Sequence, residues 1–264
     1  MPRFRLLLEY AGTRYSGWQI QKNARTVQGE LDRAVREVTG ERAFELYGSG
    51  RTDAGVHALG QVAHLDVRTS LPPATLVRRL NDALPADINV LQAVRVPHRF
   101  HARHDAIGRT YIYQIARRRT AFAKPFVWWV REPLDVAAMR EAARGFEGRL
   151  DFRGFTDDDP DEKSTLVEVA AVRVEERGDV VLVIVDGSHF LWKMVRRMVG
   201  VLAAIGRGEL EPGAVPRLLA SPGGLPARLT APASGLFLAR VLYPGDPPTP
   251  LPLPPGPDAG VLDA

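Results

Sequence analysis

Gly48-Ser49-Gly50-Arg51-Thr52-Asp53-Ala54-Gly55-Val56-His57 lies between two segments that read as strands, 44–47 and 61–67. Glycines bracket the stretch, so the backbone can turn tightly and a ligand can come close. Several loop chemistries fail on its residues. A dinucleotide fingerprint needs glycine where Asp53 stands and a helix afterwards, whereas a strand follows. A phosphate loop needs Gly-Lys-Ser/Thr, and Ser49 lacks the Gly-x-Ser-x-Gly frame of a nucleophile elbow. By composition alone, Asp53-Ala54-Gly55 is a turn.

Working outward, Arg3–Tyr10 alternates as a strand with Phe4, Leu6 and Leu8 on one face. A polar loop with two glycines, 12–18, follows. Thr26 resembles an N-cap ahead of a helical stripe of Val27, Leu31, Ala34, Val35 and Val38. Beyond the central loop, Pro73–Ala83 reads as a helix that starts with proline, and Ile88–Val96 as a strand. The first half, 1–106, is therefore β-α-β-β-α-β around the loop at 48–57. The second half, 107–245, repeats the outline. Strands are expected at 109–115, 167–175, 180–185 and 236–243, with helices at 136–146 and 191–205. Tyr111 and Tyr113 share a strand face, and Arg177-Gly178-Asp179 signals a hairpin. Two such halves suggest an α+β protein built from two ferredoxin-like units in one mixed, mostly antiparallel sheet with helices on one side. Residues 157–162 read as an acidic surface loop. The proline-rich segment 246–264 reads as an extended tail.

Composition narrows the function. The chain of 264 residues has no cysteine, which excludes disulfides, iron–sulfur clusters and the cysteine-liganded zinc of base deaminases. Net charge is +4 and the pI about 9.6, which favours a polyanionic partner. Lys22, Lys124, Lys163 and Lys193 are the only lysines among 35 cationic side chains; the rest are arginine. Arginine suits phosphate contacts and base stacking, and a GC-rich genome produces the same bias. The apolar stretch at positions 6–8 is short and Glu9 interrupts it, so no secretion signal is expected. No run approaches a membrane span. A cytoplasmic protein without membrane segment, metal or small-molecule cofactor is expected.

The stretch GRTDAGVHA resembles the signature loop of the tRNA pseudouridine synthase A family, and five further blocks resemble that family in the same order. They are Tyr10-Ala11-Gly12-Thr13 with Gly17-Trp18-Gln19, and Asn81-Asp82-Ala83-Leu84-Pro85 with Asp87-Ile88. Phe100-His101-Ala102-Arg103 comes next, with Arg109-x-Tyr111-x-Tyr113. The helix from Phe190 to Gly200 and the closing Ala231-Pro232-Ala233-Ser234-Gly235-Leu236 complete the series. Two positions depart from the pattern: Ala11 replaces an aspartate, and Val167 stands where an arginine is usual.

The resemblance implies the pseudouridine synthase fold and isomerisation of uridine at positions 38 to 40 in the anticodon stem-loop of tRNA. It implies a homodimer with the tRNA lying across both subunits. The target base must leave its stack, at a cost of a few kcal/mol, and enter a pocket with an aromatic face. By this resemblance Asp53 is the catalytic nucleophile or base. Tyr111 packs against the base, Arg196 pairs with the aspartate, Arg51 replaces the extruded base or holds a phosphate, and Leu236 lines the apolar side.

Other residues admit plainer readings. Arg196 and Arg197 on a helix are ordinarily a solvated face. Arg117-Arg118-Arg119 reads as a polar turn or as a phosphate contact. His98, His101 and His104 recur every three residues, which on an extended segment puts neighbours on opposite faces and disfavours a metal site. A non-catalytic RNA-binding module could use Tyr111 and Tyr113 for stacking, but it leaves Asp53 without a purpose. A deaminase lacks its cysteines and its His-x-Glu.

Overall fold

The computed structural model describes residues 1–159, 162, 164–220 and 224–256. Among them the chain is α+β and forms two compact units, 1–107 with 238–252, and 108–237 with 253–256.

The first unit contains β1 (Arg3–Tyr10), α1 (Val27–Thr39), β2 (Glu45–Gly48), β3 (His57–Asp66), α2 (Pro73–Ala83) and β4 (Ile88–Val96). Its strand order is β4-β1-β3-β2, antiparallel at every pairing, which is the ferredoxin-like arrangement expected from β-α-β-β-α-β. Period-two alternation buries Phe4, Leu6 and Leu8 of β1 completely. Val27, Leu31, Ala34 and Val35 of α1 and Leu76 and Leu80 of α2 are buried with them. Thr26 caps α1 by accepting from Gly29 N, and Gly40 closes the helix in the left-handed conformation. Asn81 ties α2 to β4: its amide donates to Val90 O and its carbonyl accepts from Val90 N, at 3.0 and 2.8 Å. On the opposite face of β1, Arg3 bonds Asp66 and Phe100 O, and Arg5 bonds Asp246.

The second unit contains β5 (Gly108–Ala116), β6 (Trp128–Trp129), α3 (Val136–Ala143), β7 (Gly148–Asp151), β8 (Leu166–Arg177), β9 (Val180–Gly187), α4 (Met194–Gly206), α5 (Ala214–Ala220) and α6 (Leu225–Arg228). Strands β5, β9, β8 and β7 pair antiparallel in that order, and the short β6 runs parallel to β5. The expected turn at 177–179 joins β8 to β9, with Gly178 at φ 52°. The last strand, β10 (Leu236–Leu242), starts in the second unit and continues into the first.

The structure differs from the sequence expectations at element edges. β3 begins at His57 rather than 61, because Gly60 lets the backbone of Ala239 approach; a Cβ there would lie 2.6 Å from Ala239 O. Helix α4 begins at Met194 rather than 191, because Lys193 takes a left-handed φ of 60°. α3 stops at Ala143 and tightens into a 3-10 turn over Arg144–Phe146. The elements β6, β7, α5 and α6 have at most seven residues, too few for a periodic signal. The proline-rich tail is anchored as far as it is described: Arg240 donates to Thr249 O and Gln114 to Pro255 O. Its residues 257–264 lie outside the described residues.

The three-residue histidine spacing also acts differently here. Residues 101–104 form a turn, not an extended segment, so the His101 and His104 rings meet at 4.3 Å. His64 of β3 joins them at 4.7 Å from His101 and stacks on Tyr47 of β2. His64 is fully buried; its Nδ1 accepts from Ala102 N and its Nε2 makes no hydrogen bond. Burial, followed by the charge of Arg3, pushes its pKa down from 6.5 to about 4. The unfolded chain therefore takes up a proton below pH 6.5 that the folded chain refuses until about pH 4. Stability from this group is complete above pH 6.5 and is lost as the pH falls toward 4. The urea midpoint of the wild type should decline over that window more steeply than that of His64→Gln. Parallel pH curves for the two would show that His64 is not the titrating group.

Candidate active site

The β2–β3 loop is held between its own strand and the polar loop that follows β1. Trp18 N donates to Thr52 O at 3.0 Å, Gly55 N to Tyr15 O at 3.2 Å, and Gly12 N to His57 Nδ1 at 3.1 Å. Within the loop, Val56 N donates to Asp53 O at 3.1 Å. Glycines permit this contact. A Cβ on Gly12 would lie 1.9 Å from Val56 O, and one on Gly17, at φ +92°, would lie 2.5 Å from Thr52 O. Gly48 makes room for the Trp18 ring, which is buried. The Tyr15 hydroxyl donates to Asp87 Oδ1 at 2.5 Å, and Ala11 N to Asp87 O at 2.9 Å, so the turn after α2 braces the same segment. Burial and Asp87 both raise the Tyr15 pKa and keep its phenol protonated.

Asp53 emerges from this frame half-buried, and Arg51 is exposed. The space beside Gly50 is open. A carboxylate on a rigid backbone with one approachable side is equipped to act as nucleophile or base on a ligand laid against the loop.

Tyr111, Arg196 and Leu236 belong to the second unit. Tyr111 on β5 is half-buried opposite Val185, and its ring meets Phe190 edge to face at 5.2 Å. Tyr113, two residues on, is fully buried; its hydroxyl donates to Pro232 O, and a Cβ on Gly235 would strike its ring. Only Tyr111 of the pair keeps an accessible ring, which removes the paired stacking platform of a plain RNA-binding module. Leu236 is buried at the start of β10.

Arg196 is half-buried on α4, with its Nε donating to Ala231 O at 2.7 Å while Ala231 N donates to Arg196 O. The closing motif thus docks on α4, and Gly200 admits it: a Cβ there would lie 1.7 Å from Leu229 O. The neighbouring Arg197 is not a solvated residue. It is 3% exposed and paired with Asp157, which Lys193 also contacts. Those bonds, the Lys193 one foremost, hold the Asp157 carboxyl below its ordinary range. The acidic loop is therefore tied to the start of α4 through Asp157 and Asp158, while its Pro160 and Asp161 lie outside the described residues. Arg117 and Arg118 are engaged with Glu176 and Asp179 at the β8–β9 turn, as the polar-turn reading supposes. Val167, where the related pattern has an arginine, is 1% exposed in β8.

Sequence reading did not assign a role to Thr52, buried within the loop, or to Gln61, buried beside it. The available signal was an amide in the interior of a strand-forming segment.

A family model described as tRNA pseudouridine synthase matches residues 7–105 and 142–244. The tRNA pseudouridine synthase A of Myxococcus xanthus is 41% identical over 251 residues, covering 94% of each chain. That of Syntrophotalea carbinolica is 44% identical over 245 residues, 92% of this chain and 97% of the relative. That of Geobacter sulfurreducens is 42% identical over 245 residues, 92% and 100% respectively. The chain belongs to the tRNA pseudouridine synthase family.

The backbone contact at Gly17 makes a quantitative expectation. Gly40→Ala places a side chain in open space at positive φ and should cost about 1–2 kcal/mol, the backbone term alone. Gly17→Ala adds the clash with Thr52 O, and should cost more than that and displace the loop. Equal urea midpoints for the two variants would show that the loop does not depend on this approach.

Proposed function

We propose that this chain converts uridine to pseudouridine at positions 38–40 of the tRNA anticodon stem-loop. Support comes from its family and from the name shared by its relatives, tRNA pseudouridine synthase A. The observation that carries the reading is Asp53. It is half-buried in a loop whose backbone is bonded on both sides of it.

The reaction breaks the bond from ribose C1′ to base N1, turns the base, and joins C1′ to C5. The proton on C5 is lost and N1 gains one, so the change is an isomerisation that needs no redox partner. In this reading ionised Asp53 attacks C1′ or removes a ribose proton. Tyr111 offers its ring to the flipped base, in the manner of aromatic platforms worth roughly 1–3 kcal/mol per base. Leu236 supplies apolar lining. Arg196 supplies the cation that favours the charged carboxylate, and Arg51 fills the gap in the RNA stack or holds a phosphate. The enzyme works in the cytoplasm, where its substrate is. Among the described residues no helix is long and apolar enough to cross a membrane.

Asparagine fills the space of Asp53 but neither attacks C1′ nor accepts a proton. Asp53→Asn should abolish pseudouridine formation in a single-turnover assay while tRNA binding, read by filter retention, and the melting temperature stay near wild type. Appreciable conversion by that variant would remove Asp53 from the chemistry; joint loss of binding and fold would make it a structural turn residue.

We also infer a homodimer that supports one tRNA across two subunits, because a chain of 264 residues offers limited surface to an L-shaped RNA. Sedimentation at micromolar concentration should give twice the chain mass, and a fully active monomer would overturn this.

A further inference from the structure

Arg51 and Asp53 alternate along the loop with side chains that turn inward. Ser49 is 1% exposed and Thr52 5%, and both lead to the side chain of Gln61 in β3, which has no exposed surface. Gln61 Oε1 accepts from Ser49 Oγ at 2.7 Å and from Val62 N at 3.2 Å. Gln61 Nε2 donates to Gly50 O at 3.1 Å and to the Tyr10 hydroxyl at 3.4 Å. That hydroxyl is also paired with Thr52 Oγ1 at 2.8 Å. One amide and one phenol therefore tie Ser49, Gly50 and Thr52 to β3 and β1. The amide has a single sensible orientation, because Gly50 O requires a donor and Val62 N an acceptor.

Burying an amide is unfavourable unless its polar atoms are bonded, and an apolar side chain would fill a strand position without that requirement. Here three of the four bonds go to the loop or to Tyr10, which holds the loop in turn. On the other side of Asp53 the loop is held by backbone groups, Gly55 N to Tyr15 O and Val56 N to Asp53 O. On the approach to Asp53 the backbone is bonded at Ser49 N, to Val62 O, and at Thr52 O, from Trp18 N, while the carbonyl of Gly50 between them is held by the Gln61 amide, so substitution of that amide can loosen the approach and leave the rest standing. We propose that Gln61, acting together with Tyr10, is a positioning residue that fixes the place of the Asp53 carboxylate without touching the substrate. The proposal rests on the catalytic reading of Asp53 given above.

The test uses the full chain with a tRNA transcript and compares Gln61→Met, Tyr10→Phe and Gln61→Glu with the wild type. Gln61→Met should lower kcat about 10–100-fold, the scale of a displacement near 1 Å, with KM and tRNA Kd within about threefold. Tyr10→Phe keeps the ring and should show the same pattern at smaller size. In Gln61→Glu the new carboxyl, its pKa raised by burial, reproduces the donor and acceptor of the amide only while protonated. Its kcat should approach the wild type toward pH 6 and fall as the pH rises. The phenol of Tyr10, the titratable group bonded to this amide, is pushed up to about 12 by burial, and His57 of the same loop is present in both proteins, so a limb between pH 6 and 8.5 that the wild type lacks belongs to residue 61.

Wild-type kcat in Gln61→Met with only a lowered melting temperature would reduce Gln61 to a packing residue and overturn the proposal. So would equal losses in kcat and tRNA binding. If Gln61→Met fails to fold, the other two variants decide, and a flat pH profile for Gln61→Glu with wild-type kcat in Tyr10→Phe overturns it. Absence of pseudouridine with the wild-type protein itself would instead sink the catalytic reading of the loop, and this proposal with it.

Discussion

The first unit depends on one close approach: the backbone of the turn after β1 touches the backbone of the β2–β3 loop with no side chain between them. Gly12 and Gly17 make this possible, since a methyl group at either would overlap a carbonyl oxygen of the loop. Backbone contact is the stiffest kind available, because it has no rotamers to relax. The hydrogen bonds from Trp18 N and Gly55 N then fix register as well as distance. Through this contact the loop inherits the rigidity of β1, whose buried face is part of the core. Asp87 extends the brace to the end of α2 by accepting from Tyr15 and from Ala11 N. Segments far apart in the chain thus converge on the few residues that carry Asp53.

The second unit uses the same device. Gly200 admits the carbonyl of Leu229 to the surface of α4, and Gly235 admits the ring of Tyr113. Arg196 then bonds Ala231 on the segment so admitted, which orders an otherwise mobile side chain. Its neighbour Arg197 faces a different task. Desolvated and paired with Asp157, it anchors the loop ahead of β8, and losing that partner would leave a buried charge. Two adjacent arginines on one helix are divided by direction: one points to the closing motif, the other into the body of the unit.

The long, periodic elements were legible in the sequence because their signal is local. β1, α1 and α2 have the bounds that alternation, the Thr26 cap and the proline start suggest. The start of β3, the start of α4 and the short β6, β7, α5 and α6 were not legible. Each depends on a partner brought from elsewhere, such as Ala239 against Gly60, or on a backbone conformation that the residue type disfavours, as at Lys193. The histidines show the same limit. Spacing rules assume a conformation, and the turn at 101–104 replaced the extended one, which brought His64, His101 and His104 into ring contact.

The sequence by itself determined the family and the candidate residues Asp53, Arg51, Tyr111, Arg196 and Leu236, because ordered short motifs are read from the residues and need no coordinates. It also determined the β-α-β-β-α-β outline of the first unit, since hydrophobic period and caps act over a few residues. Only the tertiary structure decided why the motif glycines cannot be larger, which arginine is buried, and that Gln61, Tyr10 and Thr52 form one bonded group under the loop. These facts arise from pairs 12 to 51 residues apart and more. A polar residue is valued in a sequence by its exposure, and burial is settled only when distant strands close over it.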